Sequence, residues 1–392
     1  MSDTLPSAEW TQRADLAHLA AVLGADNLRW VGGAVRDTLL GDEAQDIDAA
    51  TPLLPDEVME RLRSAGIRVV PTGIDHGTIT AVLEGGPVEI TTLRHDVSTD
   101  GRRATVAFAR DWRDDAARRD FTINALYAHP ETLEISDFFG GLEDLRDRRV
   151  RFIGTARERI AEDHLRILRY YRFQARFGSE LDDEAEEACA ALAHTLKGLS
   201  RERVAMELLA LLALPDPYAT VLRMRQREVL PVVLPEAGNA ELARLELLVG
   251  NEAKFGAEPD PLRRLAALLP AVPAIAENVA ARLRLSRTQR DRLESLAARG
   301  PADGEGPLAL AYREGTENAR DRLLLTNRDP RPVIEWPIPQ FPLKGGEIVA
   351  RGVGAGPEVA RTLRQVEARW IEEGFPDRAR VEQLLNEVLA GR

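Results

Sequence analysis

An α+β head followed by an all-helical remainder is the fold class the sequence predicts, on three observations. Short runs with β-like alternation crowd residues 27–140. From about residue 155, leucine, alanine and arginine recur at spacings of three and four, and proline interrupts that pattern at intervals. In the head, NLRWVGG, RVV, GTITAVL, VEITTL, ATVAF and EISDFFG read as strands, and the segments near 34–40 and 55–65 read as helices. That mixture calls for a mixed or antiparallel sheet flanked by helices. In the remainder, prolines at 215, 217, 231, 235, 259 and 261 separate successive helices. The stretch ARGPADGEGP, near 298–307, has the glycine and proline density of a linker. NRDPRPVIEWPIPQFPLKGG carries five prolines and cannot be one helix; a last helical unit is expected over roughly 357–390. No fixed period recurs, which argues against a solenoid.

Composition bounds the function. At 392 residues, with 44% hydrophobic and 30% charged, the chain is ordinary for a folded protein and long enough for two or more packed units. No stretch approaches the roughly 20 apolar residues of a membrane span, and the start MSDTLPSAEW lacks the basic and apolar blocks of a signal peptide. A cytoplasmic protein without a membrane segment is expected. One cysteine, Cys189, excludes an intramolecular disulfide and a thiolate cluster; its setting EEACAALAH reads as a helix with a buried structural thiol. Lys plus Arg total 52 against 64 Asp plus Glu, a net charge of -12. A polyanionic partner therefore requires local basic patches.

Chemistry concentrates in the head. In DIDAAT, Asp46 and Asp48 are two apart, and an extended strand points both carboxylates to one face, where they can share divalent ions. Magnesium suits such all-oxygen ligands, and phosphoryl transfer needs that geometry. An Asp-X-Asp is also common in solvated turns, so context has to decide. Upstream, WVGGAVRDTLLG runs from a β-like segment through Gly32 and Gly33 into an amphipathic helix, which leaves backbone amides free for phosphate, with Arg36 as a charged clamp. A tight strand-to-helix turn explains the glycines equally well. Glu89, in VEITTLR, sits on a second period-2 strand; it either adds a third carboxylate to the site or is an exposed strand glutamate. RRDFTINALY places Arg118, Arg119 and Asp120 ahead of an apolar run, with Asn124 on the face of Asp120 if the segment is helical. Arginine suits a triphosphate and the polar pair a ribose; a capping aspartate with solvated arginines is the plainer alternative.

The segment ERIAEDHLRILRYYRFQARFG, read as one helix, gathers Arg166, Arg169, Arg172 and Arg176 on one side and Ile167, Leu168, Tyr171 and Ala175 on the other. Asp163, three before Arg166, becomes its neighbour, so the pair can offer an acceptor and forked donors to a base edge or simply form an ion pair. His76, His95, His129 and His164 have no metal-ligand spacing, and no role is assigned to them.

In order, VGGAVRDTLLG, DIDAAT, RRDFTINALY, DFFGGLEDL and AEDHLRILRYYRF resemble the motifs of class II tRNA nucleotidyltransferases, which include CCA-adding enzymes and bacterial poly(A) polymerases. The resemblance covers about residues 28–178. Weaker similarity later in the chain rests on LSRERVAMELLALL, LRLSRTQRDRL and FPLKGGEIVARGVGAGPEVARTL. It implies a nucleotidyltransferase head over 1–140, a neck of nucleotide-selecting helices over 141–200, a helical body over 201–300 and a tRNA-binding tail over 301–392. It further implies that Asp46 and Asp48 bind the catalytic metals, that Gly33 and Arg36 hold the triphosphate, and that Arg119, Asp120 and Asn124 secure phosphate and sugar. Asp163 and Arg166 would read the Watson–Crick edges of CTP and ATP, with Arg169 and Arg172 assisting. HDVSTDGRRATVAFARDWRDDAA occupies the place of a flexible loop that family members use in switching from CTP to ATP. The phosphohydrolase domain some relatives append is not recognisable, so phosphatase or phosphodiesterase activity is not expected.

The expected activity is thus addition of two CMP and one AMP to the tRNA 3′ end by a monomer or homodimer using Mg2+. Sister enzymes adding only CC, only A, or a poly(A) tail share these motifs. An inactive RNA-binding protein, or a nucleotidyltransferase acting on a protein or small molecule, are the rivals from other classes.

Overall fold

The structure, a computed structural model, describes residues 3–99, 104–177 and 180–391. Two compact units, Met1–Pro235 and Glu236–Arg392, make up the chain.

In the first unit the strands are β1 (Arg29–Val31), β2 (Ile47–Thr51), β3 (Arg68–Gly73), β4 (Thr78–Leu83), β5 (Gly86–Thr92), β6 (Arg94–Thr99), β7 (Ala104–Phe108), β8 (Leu126–Ala128) and β9 (Ile135–Asp137). Seven of them form one sheet in the order β3-β4-β5-β2-β1-β8-β9, while β6 and β7 pair separately as a hairpin. Only β2 and β5 run parallel. A parallel pair needs a crossover, and helix α3 with the β3–β4 hairpin supplies it. The helices of this half are α1 (Ala14–Leu23), α2 (Gly33–Leu40), α3 (Pro55–Ser64) and α4 (Trp112–Ala117). Buried Ile79, Ala81, Val88 and Ile90 alternate along β4 and β5 with Thr78, Thr80, Pro87 and Glu89, so one face of this part of the sheet meets the core. After β9 every described regular element is helical: α5 (Gly141–Arg146), α6 (Ala156–Glu162), α7 (Arg166–Phe177), α8 (Asp183–Leu192) and α9 (Arg201–Leu212) come first. Cys189, on α8, is buried.

Several local expectations fail for identifiable reasons. The run after Asp120 is not a helix: Thr122–Asn124 is a 3-10 turn and Leu126–Ala128 is β8, wholly buried beside β1. Its apolar continuity is that of a central strand covered on both faces. Helix α1 has no counterpart among the expected elements, because its apolar run LAHLAAVL is short. The segment compared to a flexible loop is partly ordered as β6 and β7, and its residues 100–103 lie outside the described residues.

The second unit is helical, with an aromatic and aliphatic core around Trp370 built from helices Pro357–Glu372 and Arg378–Ala390. Buried Arg263 bonds Glu252 and Asp321, each at 2.8 Å, and Arg264 bonds Glu252 at 2.8 Å. Removing one member of such a network strands a buried charge. The expected linker near 298–307 is instead part of this unit: Pro301–Gly304 is a 3-10 turn whose buried Asp303 pairs with Arg322 at 2.6 Å. Glycine and proline serve that turn rather than a hinge.

Candidate active site

Register in the sheet brings the carboxylates together. Asp48 lies beside Glu89 in the parallel β2–β5 pair, and Asp46 precedes it by two residues, just before β2 begins. Asp46 and Glu89 are exposed and Asp48 half-buried. Among the described residues none of the three is ion-paired. Burial and then the charge of Glu89 push the Asp48 carboxyl up to about 6; Arg119 opposes this and Asp46 adds to it. The three carboxylates thus repel one another and offer only oxygen ligands, a donor set that fits a hard divalent cation. A different trio, Asp260, Glu317 and Asp321, is the one whose oxygens all lie within 4.8 Å of one another among the described residues. Arg292 already occupies it, bonding Asp260 at 2.8 Å and Asp321 at 2.5 Å.

Opposite the carboxylates stands a wall of arginines. A cavity of about 540 Å³ is lined by Gly33, Arg36, Asp37, Asp46 and Asp48 from the head and by Arg169, Arg172 and Arg176 from α7. Gly32 has φ 73°, a conformation glycine adopts freely, and it turns the chain from β1 into α2, whose first amides have no helical acceptor. Arg36 is only 5% exposed. It donates to Asp37 at 2.8 Å and to the Asn124 amide oxygen, and its guanidinium lies 5.1 Å from the centre of the Phe173 ring. Burial lowers the pKa of Arg36, against the pull of Asp37.

Asp120 ties head to helix. It accepts from Asn124 Nδ2 at 3.0 Å and from Arg169 at 2.6 Å. Burial would raise its pKa, but Arg169 and Asn124 prevail and hold it at about 2. Arg169 and Arg172 also reach Glu207 on α9, at 3.4 and 2.6 Å, and Arg176 reaches Asp37 at 3.1 Å. Arg119 donates to the Tyr127 hydroxyl at 3.0 Å and to Asp115 at 3.2 Å, and a β-carbon placed on Gly32 would lie 3.7 Å from its Nη1. Arg118 pairs with the same Asp115 at 2.7 Å and is not among the residues lining the cavity.

Asp163 and Arg166 do not form the expected pair. The stretch is two helices: Asp163 is extended at the end of α6, and α7 starts at Arg166. The break separates the two side chains. Arg166 donates to Glu162 at 2.6 Å and to the carbonyls of Arg159 and Arg118, each at 2.9 Å, whereas Asp163 accepts from Arg203 on α9 at 2.6 Å. Of the stripe, Arg169, Arg172 and Arg176 line the arginine cavity and Arg166 does not. Asp37, Asp115, Tyr127 and Glu207 are the partners that sequence reasoning missed. Only the i, i+4 spacing of Arg203 and Glu207 in RERVAMELL hinted at an inward charged face.

Residues 28–151 match the Poly A polymerase head domain, and residues 178–240 match the family described as a probable RNA and SrmB- binding site of polymerase A. The CCA tRNA nucleotidyltransferase 1, mitochondrial, of Homo sapiens is 36% identical over 368 residues, covering 89% of this chain and 83% of the relative. The chain belongs to the CCA tRNA nucleotidyltransferase family. The CCA-adding enzyme of Streptococcus uberis is 42% identical over 189 residues, or 48% of this chain and 46% of its own. A crystal structure of the Bacillus stearothermophilus CCA-adding enzyme in complex with CTP superposes with a TM-score of 0.77 at 25% identity, covering 96% of this chain and 98% of that one. The mixed-sheet head with its helical continuation is therefore the CCA-adding fold, and the chain is a nucleotidyltransferase. No described helix is long and apolar enough to cross a membrane.

Proposed function

We propose that this chain transfers CMP, CMP and then AMP from CTP and ATP to the 3′ end of tRNA, with Mg2+ held by Asp46 and Asp48. The observation that carries the reading is one cavity with unpaired carboxylates on one side and α7 arginines on the other. The 3′ oxygen of the RNA attacks the α-phosphorus of the triphosphate, the bond from that phosphorus to the bridging oxygen breaks so that pyrophosphate leaves with that oxygen, and the hydroxyl proton passes to water. Magnesium, when bound, supplies charge neutralisation and lowers the pKa of the attacking hydroxyl. Gly32 and Gly33 bring backbone amides to the triphosphate, and Arg36 and Arg119 meet its charge. Asp120 and Asn124, already bonded to each other, present a fixed polar edge to the ribose. Glu89 sits where a third ligand would stand.

Base selection falls to the α6–α7 junction: Asp163, at the end of α6, and Arg166, at the start of α7, present the edge-reading groups, with Arg169 and Arg172 on α7 assisting. The division into head, neck, body and tail near residues 140, 200 and 300 belongs to the same proposal, as does a cytoplasmic location. Relatives named CCA-adding favour full CCA addition over the CC-, A- or poly(A)-adding alternatives. The test is magnesium-dependent extension of tRNAs ending at the discriminator base, at C and at CC, with CTP, ATP or both, resolved to single nucleotides. Two cytidines then one adenosine are expected; a stop at CC, a lone A or an A ladder would assign the sister reaction instead.

A further inference from the structure

Two phenylalanines of α7 stand behind the arginine cavity and are not among the residues lining it. Phe173 and Phe177 are both buried, and their rings stack with centres 6.0 Å apart and planes 10° from parallel. The arginines of the same helix crowd these rings. Arg172 lies 4.6 Å and Arg169 5.6 Å from the centre of the Phe173 ring, and Arg176 lies 5.6 Å from that of Phe177. Arg36, which comes from α2 in the head, reaches both rings, at 5.1 Å from Phe173 and 5.6 Å from Phe177. The Phe173 ring is itself held, in a T-shaped contact with buried Phe121 at 5.3 Å and 64°.

Acids alone do not explain how these cations stay together. Arg36 and Arg176 share Asp37, at 2.7 and 3.1 Å. Burial, and more weakly the charge of Arg176, act against the cation at Arg36, while Asp37 acts for it. An aromatic face carries negative potential and offsets part of that cost without accepting a hydrogen bond. A further carboxylate would do the same at the expense of repelling a triphosphate and occupying guanidinium N–H groups. A ring does neither. The place is also the right one: a β-carbon on Gly33 would lie 3.7 Å from Arg36 Nη2, so the ring-held guanidinium stands at the glycine turn.

We propose that Phe173 is a positioning residue for nucleotide binding: the face of its ring, backed by Phe177, holds the Arg36 guanidinium at the glycine turn, so that α2 and α7 meet the triphosphate with their charges already in place. This inference rests on the nucleotidyl-transfer reading above, in which Arg36 meets the triphosphate.

The experiment replaces Phe173 in the full chain by mono-, di- and trifluorinated phenylalanine, which drain negative potential from the ring face with little change of shape. Equilibrium binding of CTP and of tRNA and the melting temperature are measured for each. The CTP dissociation constant is expected to rise with every fluorine, reaching about tenfold at the third, while that for tRNA stays unchanged. Phe173→Leu, which keeps apolar bulk and lacks a ring, should weaken CTP binding at least as much. A CTP dissociation constant that is flat across the series, even with a falling melting temperature, would make Phe173 a packing residue and overturn the proposal; so would an equal weakening of CTP and tRNA. Because binding and not turnover is read, a graded series without nucleotide incorporation would leave the ring's part standing and remove the reading it rests on. A wild type that binds no CTP would overturn both.

Discussion

The carboxylate row, through Asp46 and Asp48, faces the same cavity as the arginine wall, but the two are built on opposite electrostatic terms. Asp46, Asp48 and Glu89 have no ion-pair partner among the described residues, and burial and then the charge of Glu89 push Asp48 up to about 6. Arg36, Arg169, Arg172 and Arg176 are each paired, to Asp37, Asp120 or Glu207, and Asp120 is held at about 2. One side stores repulsion that a bound cation relieves. The other is already neutralised, so its charges are fixed in place before a nucleotide arrives. The difference locates the cost of function on the acids and the rigidity on the arginines.

Within the wall, the largest expected effect comes from breaking it at its most buried point. Arg36→Ala takes one cation from Asp37, which keeps Arg176, leaves the Asn124 amide oxygen without its donor and opens space against Phe173. It is expected to cost about 3 kcal/mol in urea unfolding and roughly a hundredfold in kcat/KM for CTP. A loss in stability alone would confine Arg36 to a structural part. Glu207→Ala comes next, releasing Arg172 and one contact of Arg169. A loss of about 2 kcal/mol and a higher KM for both CTP and ATP are expected, with Glu207→Gln recovering part of each. Unaltered KM values would mean the wall does not need its brace.

The row is sharpened by pH. The Asp48 pKa is raised on folding, so its contribution favours the folded state at low pH and is lost as pH rises from about 4 to about 6. Asp48→Asn has no such loss. In chelator it should match the wild type near pH 4 and be more stable by about 2 kcal/mol at pH 7. A difference independent of pH would remove the repulsion argument. Asp120 has the opposite sign: its depressed pKa gives stability above about pH 4 that is lost as pH falls toward 2. The smallest effect is on selectivity. Arg166→Ala should raise misincorporation of UTP and GTP with little change in triphosphate affinity. If only the melting temperature moves, Arg166 is a brace between α7 and the Arg118 carbonyl.

Much of this was legible in the sequence where local pattern and position agree. Period-2 spacing was enough to read DIDAAT and VEITTLR as extended, but not to pair them; the parallel register of the structure sets Asp48 beside Glu89. The glycine turn into α2 was legible for the same reason, since Gly32 needs its left-handed φ. What escaped was decided over long sequence distances. Tyr127 and Asp115 holding Arg119, and Glu207 holding Arg172, join residues that no spacing connects. Whether RRDFTINALY is helical stayed open because the buried central strand Leu126–Ala128 shows no alternation, and the break at Asp163 was hidden because both flanking segments favour helix.

The division of labour between row and wall is tested most directly on Asp46→Ala, measuring equilibrium CTP binding and CMP incorporation on the same preparation. The structure predicts CTP affinity within a few-fold of wild type, since the arginines are untouched, an unchanged melting temperature, since Asp46 is exposed, and incorporation lowered by about a thousandfold or more. Binding and incorporation lost in equal measure, or incorporation retained, would contradict it.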